Sequence, residues 1–205
     1  ANSNMAEGIL LYSTCNNNTL SSNTASTNNT NGIFVTLNSD SNTVNSNTTN
    51  SNSGGIVINS NSKSNIVSGN TANSNTQVGI GLYSSYYDTV SGNTVNNNSN
   101  AFDSATGVYL SACTSIIVNN NTANSNYYGV HLLASSNYNA VTGNTANSDS
   151  VGIKVDQGSY NSVRNNTTAS NNIAGIHILG NSFGANADSN FVLQNQISGN
   201  DTGVW

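Results

Sequence analysis

The run GIVINSNSKSNIVSGNTANSNTQV (residues 55–78) sets the pattern for the whole chain. It restarts at Gly79 as GIGLYSSYYDTVSGNTVNNN. A glycine followed by Ile or Val opens each unit, at Gly8, Gly32, Gly55, Gly79, Gly107, Gly129, Gly152, Gly175 and Gly203. The steps are 24, 23, 24, 28, 22, 23, 23 and 28 residues, giving eight units and the start of a ninth. A fixed period of this size marks a solenoid, in which each unit packs only on its neighbours.

Inside the unit, apolar and polar residues alternate. Ile9, Ile33, Ile56, Ile80, Val108, Val130, Ile153, Ile176 and Val204 form one column, and Leu11, Val35, Ile58, Leu82, Leu110, Leu132, Val155 and Ile178 a second. Period-two alternation of such residues reads as a strand with one buried face. A second short strand carries Leu20, Val44, Val67, Val90, Val118, Val141, Val163 and Val192 inward. A third carries Ala25, Thr49, Ala72, Val95, Ala123, Ala146, Thr168 and Ile197. No segment keeps helical spacing, and Asn suits corners that need a left-handed backbone. The expectation is an all-β parallel solenoid of eight to nine coils, each of 22–28 residues with three short strands, forming one domain over residues 1–205. At about 4.8 Å per coil the rod is on the order of 40 Å long.

Asparagine makes up roughly a fifth of the chain, which by composition alone suggests a disordered polar tract. The strict phase of the apolar residues argues against that. The asparagines fall into three columns. The middle one is unbroken: Asn23, Asn47, Asn70, Asn93, Asn121, Asn144, Asn166, Asn195. One flank is interrupted by Asp88 and Ile116, the other by Asp149. Carboxamides both donate and accept, so stacked Asn side chains are expected to form structural ladders along the rod. Cys15 and Cys113 share a column with Ser39, Ser62, Ser85 and Ser136. Four coils, roughly 19 Å, would separate them, too far for a disulfide.

The unit GI-x-L…N-x-V-S-G-N-T-A-x-x-N resembles the right-handed parallel β-helix repeats of NosD-like and carbohydrate-binding/sugar-hydrolase proteins of archaeal and bacterial surfaces. The resemblance implies a single-stranded right-handed β-helix over essentially the whole chain. It leaves activity open, because such proteins include lyases, hydrolases, periplasmic accessory proteins, adhesins and surface-layer components.

The net charge is −5, and Lys63, Lys154 and Arg164 are the only Lys or Arg residues. So few cations argue against nucleic acid as a partner. No apolar run approaches the 18 residues of a membrane span, so membrane insertion is not expected. Low charge and abundant Ser, Thr and Asn point to an extracellular or cell-surface protein. Asn-x-Ser/Thr acceptors for glycosylation stand at Asn17, Asn28, Asn47, Asn97, Asn120, Asn165, Asn166 and Asn200.

A glycosidase needs two carboxylates flanking the scissile bond. Glu7, Asp40, Asp88, Asp103, Asp149, Asp156, Asp188 and Asp201 supply no such pair on adjacent outer strand positions, so the chain is not expected to be an enzyme. The one concentrated polar patch is the outer column of the first strand. It runs Leu10, Phe34, Val57, Gly81, Tyr109, His131, Lys154, His177, Trp205, with Asp156 beside it. It reads as an exposed strand face with a Lys154–Asp156 pair, or as a contact surface for sugar or a neighbouring subunit. His131 and His177, about 10 Å apart with Lys154 between them, are too distant to share one metal ion, and no cofactor is expected. Insertions at residues 99–106 and 180–189 carry Phe102, Asp103, Phe183 and Asp188. Outward Thr24, Thr48, Thr71, Thr94, Thr122, Thr145 and Thr167 form a regular array like the ice-binding faces of solenoid antifreeze proteins. No capping segment is visible at either end. The chain is therefore expected to stack head to tail with copies of itself as a structural filament, sheath or coat. A glycan-binding or adhesin module is the alternative, ahead of a carbohydrate-active enzyme or an ice-binding protein.

Overall fold

The computed structural model describes residues 1–99, 105–180 and 187–205, so Phe102, Asp103 and Phe183 lie outside the described residues. The chain winds as a right-handed parallel β-solenoid with no helix among the described residues. The first sheet stacks β1 (Ile9–Tyr12), β3 (Asn31–Thr36), β5 (Gly54–Ile58), β7 (Val78–Tyr83) and β9 (Thr106–Ser111). It continues through β11 (Tyr128–Leu133), β13 (Val151–Asp156), β16 (Ala174–Leu179) and β19 (Thr202–Val204). The second sheet stacks β2 (Thr19–Ser21), β4 (Thr43–Asn45), β6 (Ile66–Ser68) and β8 (Thr89–Ser91). β10 (Ile117–Asn119), β12 (Ala140–Thr142), β14 (Ser162–Arg164) and β17 (Phe191–Leu193) complete it. From β1 to β16 the chain makes about seven turns, slightly fewer than the expected eight to nine coils. β16 pairs in turn with β19.

The register follows the apolar columns. Ile33 pairs with Ile56, Ile80 with Val108, Val130 with Ile153, and Val118 with Val141. Ile33, Ile56, Ile80, Val130, Ile153 and Ile176 are fully buried, as are Val44, Val67, Val90 and Val118. Each such side chain removed from water stabilises the coil by about 1.5–3 kcal/mol. The glycine phase follows from crowding between coils. A Cβ on Gly129 would sit 2.6 Å from the Gly152 carbonyl oxygen.

The third expected strand is mostly absent as a strand. Thr24, Thr48, Thr71, Thr94, Thr122 and Thr145 bridge coil to coil as single residues, and only β15 (Thr167–Ala169) and β18 (Gln196–Ser198) pair over three. The reason is local: residues on either side of this segment are engaged by Asn side chains rather than by the neighbouring backbone. Ser46 and Asn120, just before middle-column asparagines, take φ of 56° and 55°, which turns the chain at that corner.

The asparagine columns are hydrogen-bonded ladders, and the middle one is continuous from Asn23 to Asn195. Asn144 donates its main-chain N–H and its Nδ2 to Asn166 Oδ1 at 2.9 and 3.0 Å, and a second Nδ2 bond to the Val118 carbonyl at 2.9 Å. Its own Oδ1 accepts the same pair of bonds from Asn121. A further ladder lies outside the core, in a direction the sequence reading missed. Asn73, Asn96 and Asn124 donate their N–H to the Oδ1 of Asn50, Asn73 and Asn96 at 2.7–2.8 Å. Cys15 and Cys113 are both free and stand in the same Ser column, their N–H groups donating to Ser39 and Ser136 Oγ.

Candidate functional site

The outer face of the first sheet changes character at Gly81. Before it stand Leu10, Phe34 and Val57; after it, in register, come Tyr109, His131, Lys154 and His177. Lacking a side chain, Gly81 lets the Tyr83 ring fold back across the strand, where a Cβ would meet Tyr83 Cε2 at 2.9 Å. From there aromatic rings continue along the rod. Tyr83 and Tyr109 have centroids 5.4 Å apart, Tyr109 meets His131 edge-on at 5.6 Å, and Tyr128 lies 4.5 Å from His131. These four side chains, with Gln77 and Thr106, line an open pocket of about 460 Å³.

Behind the His131 end of the pocket sits a charged pair. Lys154 Nζ is 3.0 Å from Asp156 Oδ2 and 5.1 Å above the centre of the Tyr128 ring. His131 Nε2 is 4.0 Å from the same carboxylate oxygen. Burial, with repulsion from the Lys154 ammonium, lowers the His131 pKa to about 3, and the nearby Asp156 does not offset this. The imidazole is therefore neutral at ordinary pH. Burial likewise raises the Tyr83 phenol to about 12 and pushes Tyr109 upward, so both stay protonated as donors. His131 Nε2 and Asp156 Oδ1 are buried without a hydrogen-bond partner. Buried polar atoms are normally paired, so two orphans on neighbouring side chains stand out.

The patch expected from the sequence divides in two. Tyr109, His131, Lys154 and Asp156 gather at the pocket, whereas His177 stacks on Trp205 with centroids 4.5 Å apart, farther along the rod. The plain exposed strand face is corrected. His131 is 6% exposed and Asp156 8%, because Tyr109, Tyr128 and Lys154 close over them. Tyr83 and Tyr128 were missed. Their signal in the sequence was tyrosine at both margins of the outer column in neighbouring coils.

Three of the glycosylation acceptors are also corrected. Asn28, Asn47 and Asn166 are buried in the ladders, and their Nδ2 groups, the atoms a glycan would occupy, are hydrogen-bonded. Asn17, Asn97, Asn120 and Asn165 are exposed, and Asn200 is half-buried with its Nδ2 on the Thr168 carbonyl. In the threonine array only Thr24 is exposed, the other six being half-buried. Asp88 and Asp149 are buried in the ladders, and Asp188 lies exposed. Among the described residues no group of three His, Cys, Asp or Glu is placed to hold a metal ion.

This chain belongs to the right-handed β-helix family, whose description, right handed beta helix region, matches residues 1–146. The family described as periplasmic copper-binding protein (NosD) matches residues 99–205. No curated protein is similar enough in sequence to stand as a relative. Among solved structures, the periplasmic alginate epimerase AlgG is similar at 17% identity and a TM-score of 0.66, over 84% of this chain and 47% of that one. The A-module of the Azotobacter vinelandii mannuronan C-5 epimerase AlgE4 is similar at 14% identity and a TM-score of 0.63, over 98% and 52%. The Dettilon tailspike protein is similar at 18% identity and 0.60, over 86% and 42%. This chain thus spans about half the length of each. At such identities the likeness is one of fold.

Proposed function

We propose that this chain binds carbohydrate in the pocket between Tyr83 and Tyr128, as a periplasmic or cell-surface protein. The observation that carries the reading is the pairing of an aromatic wall with a buried, neutral His131 whose Nε2 has no partner. Sugar rings present C–H faces that pack on aromatic rings, and hydroxyls that pair with isolated polar atoms. A largely preformed concave site with a few polar groups is the usual form of a small-ligand site. The family matches and the fold shared with an alginate epimerase and a tailspike support a carbohydrate-related role at the cell surface. The reading departs from the filament expected above, because the face taken as a plain strand surface is a pocket with buried polar groups.

The reading is of binding without turnover. Asp156 is the one acidic residue in the nine strands of the first sheet, and Lys154 engages its charge. Hydrolysis by paired carboxylates would need a second. Probing the purified chain against an array of neutral and acidic glycans is the test. Retention of a glycan class that Tyr109→Ala weakens by at least about tenfold, roughly 1.4 kcal/mol, is expected. Retention of none would overturn the proposal, and chain shortening of the bound glycan would show turnover.

A further inference from the structure

We infer that the pocket selects neutral sugars and discriminates against uronic acids, and that Asp156 sets this preference by holding Lys154. The inference rests on the carbohydrate-binding reading and names its ligand class. A uronate carboxylate entering a partly buried site needs a cation or several free donors to replace its water. The whole sequence contains three Lys and Arg residues. Lys63 lies at a corner, 3.8 Å from Asp40. Arg164 is exposed on β14, in the second sheet. Lys154 alone is near the pocket, and its ammonium is 3.0 Å from Asp156, with the Lys154 side chain 13% exposed and that of Asp156 11%.

The other groups facing the pair are uncharged. His131 on β11 is neutral, and its pKa, lowered to about 3, leaves no imidazolium for an anion at working pH. Tyr109 on β9 and Tyr128 on β11 are phenols. His177, on β16, is also lowered by burial and by Lys154. An acidic sugar would therefore meet rings, hydroxyls and an ion pair of no net charge. A neutral pyranose meets what it can use. Its hydroxyls both donate and accept, so they can pair in either sense with the phenol hydroxyls of Tyr83 and Tyr109 that line the pocket, whereas a carboxylate is an acceptor only. The ligand class is neutral hexose or N-acetylhexosamine units.

Titration of the intact chain with neutral and with uronic acid oligosaccharides of equal length tests this. Wild type is expected to bind the neutral class at least about tenfold tighter. Asp156→Asn releases the ammonium and should bring the ratio of the two affinities close to one. Should that variant fail the far-UV dichroism check for folding, the wild type decides by ionic strength. Neutral-sugar binding should be flat in salt, because no charge pair forms with the ligand. Uronates bound as tightly as neutral sugars or tighter, in a salt-sensitive way and lost in Tyr109→Ala, would leave carbohydrate binding standing and overturn the selectivity. Binding of neither class would overturn the carbohydrate reading itself.

Discussion

Asn144 and His131 belong to the same coil and are buried to a similar degree, at 1% and 6% exposure. Their polar atoms have opposite fates. Asn144 has every side-chain atom engaged, with two bonds accepted and two donated. His131 Nε2 has none. The difference separates the two kinds of buried polar group in this molecule. Ladder residues hold coils together and are closed to anything else. The pocket imidazole adds no hydrogen bond through Nε2 to the fold. Each prediction below removes one side of that contrast.

The largest effect is expected from Asn144→Ala. It strips the ladder of four side-chain bonds, takes from the Val118 carbonyl its Nδ2 donor and leaves the buried Asn121 main-chain N–H without its acceptor. A loss of about 3 kcal/mol or more should lower the melting temperature by roughly 6–12 °C. Asn126→Ala should cost about half as much. Its Nδ2 donates at 3.2 Å to the half-buried Asn124 carbonyl and only at 3.4 Å to Asp149. Thermal unfolding of the two variants side by side checks the ranking, and equal shifts would erase the distinction between columns.

Asp149→Asn should act in the opposite direction, by an amount that grows as pH rises above about 4. Asp149 stands in a ladder where every other position is an asparagine that supplies an Nδ2 donor. Its Oδ1 accepts from Asn126, but its Oδ2 is buried without a partner. Burial raises its pKa from 3.8 to about 8, against the pull of the Asn126 donors. Between those values the folded chain holds a proton that the unfolded chain has released. Stability contributed by this group is therefore greatest below about pH 4 and falls as pH rises toward 8. The asparagine variant has no such dependence. Its melting temperature should exceed that of wild type by roughly 2–8 °C at pH 9, and match it near pH 4. Parallel melting curves at both pH values would refute the assignment.

The smallest effect on stability is expected at His131, where the effect on binding is large. His131→Phe keeps the ring and removes an unpaired nitrogen, a replacement that is close to neutral for folding. The melting temperature should stay within about 2 °C while glycan affinity falls by about tenfold. A loss of stability comparable to Asn144→Ala would mean that the imidazole is a structural group after all.

The contrast also divides what could be read from the chain and what could not. The coil register, the buried columns of Ile, Val and Leu, the ladders and the four-coil separation of Cys15 from Cys113 were all legible in the sequence. Each depends on the same residue type recurring at the same phase, and parallel strands one coil apart must align equal phases. The collapse of the third strand into single-residue bridges was not legible, because side-chain amides compete there with the backbone. Nor was the pocket. Tyr83, Tyr109, Tyr128 and His131 break the repeat, so their phase said which way they point and nothing about what covers them. Burial of His131 and Asp156 depends on ring sizes and tilts in the coils before and after, and on the space left by Gly81. Contacts between unlike residues on neighbouring coils are set by packing in three dimensions, which a period along the chain does not encode.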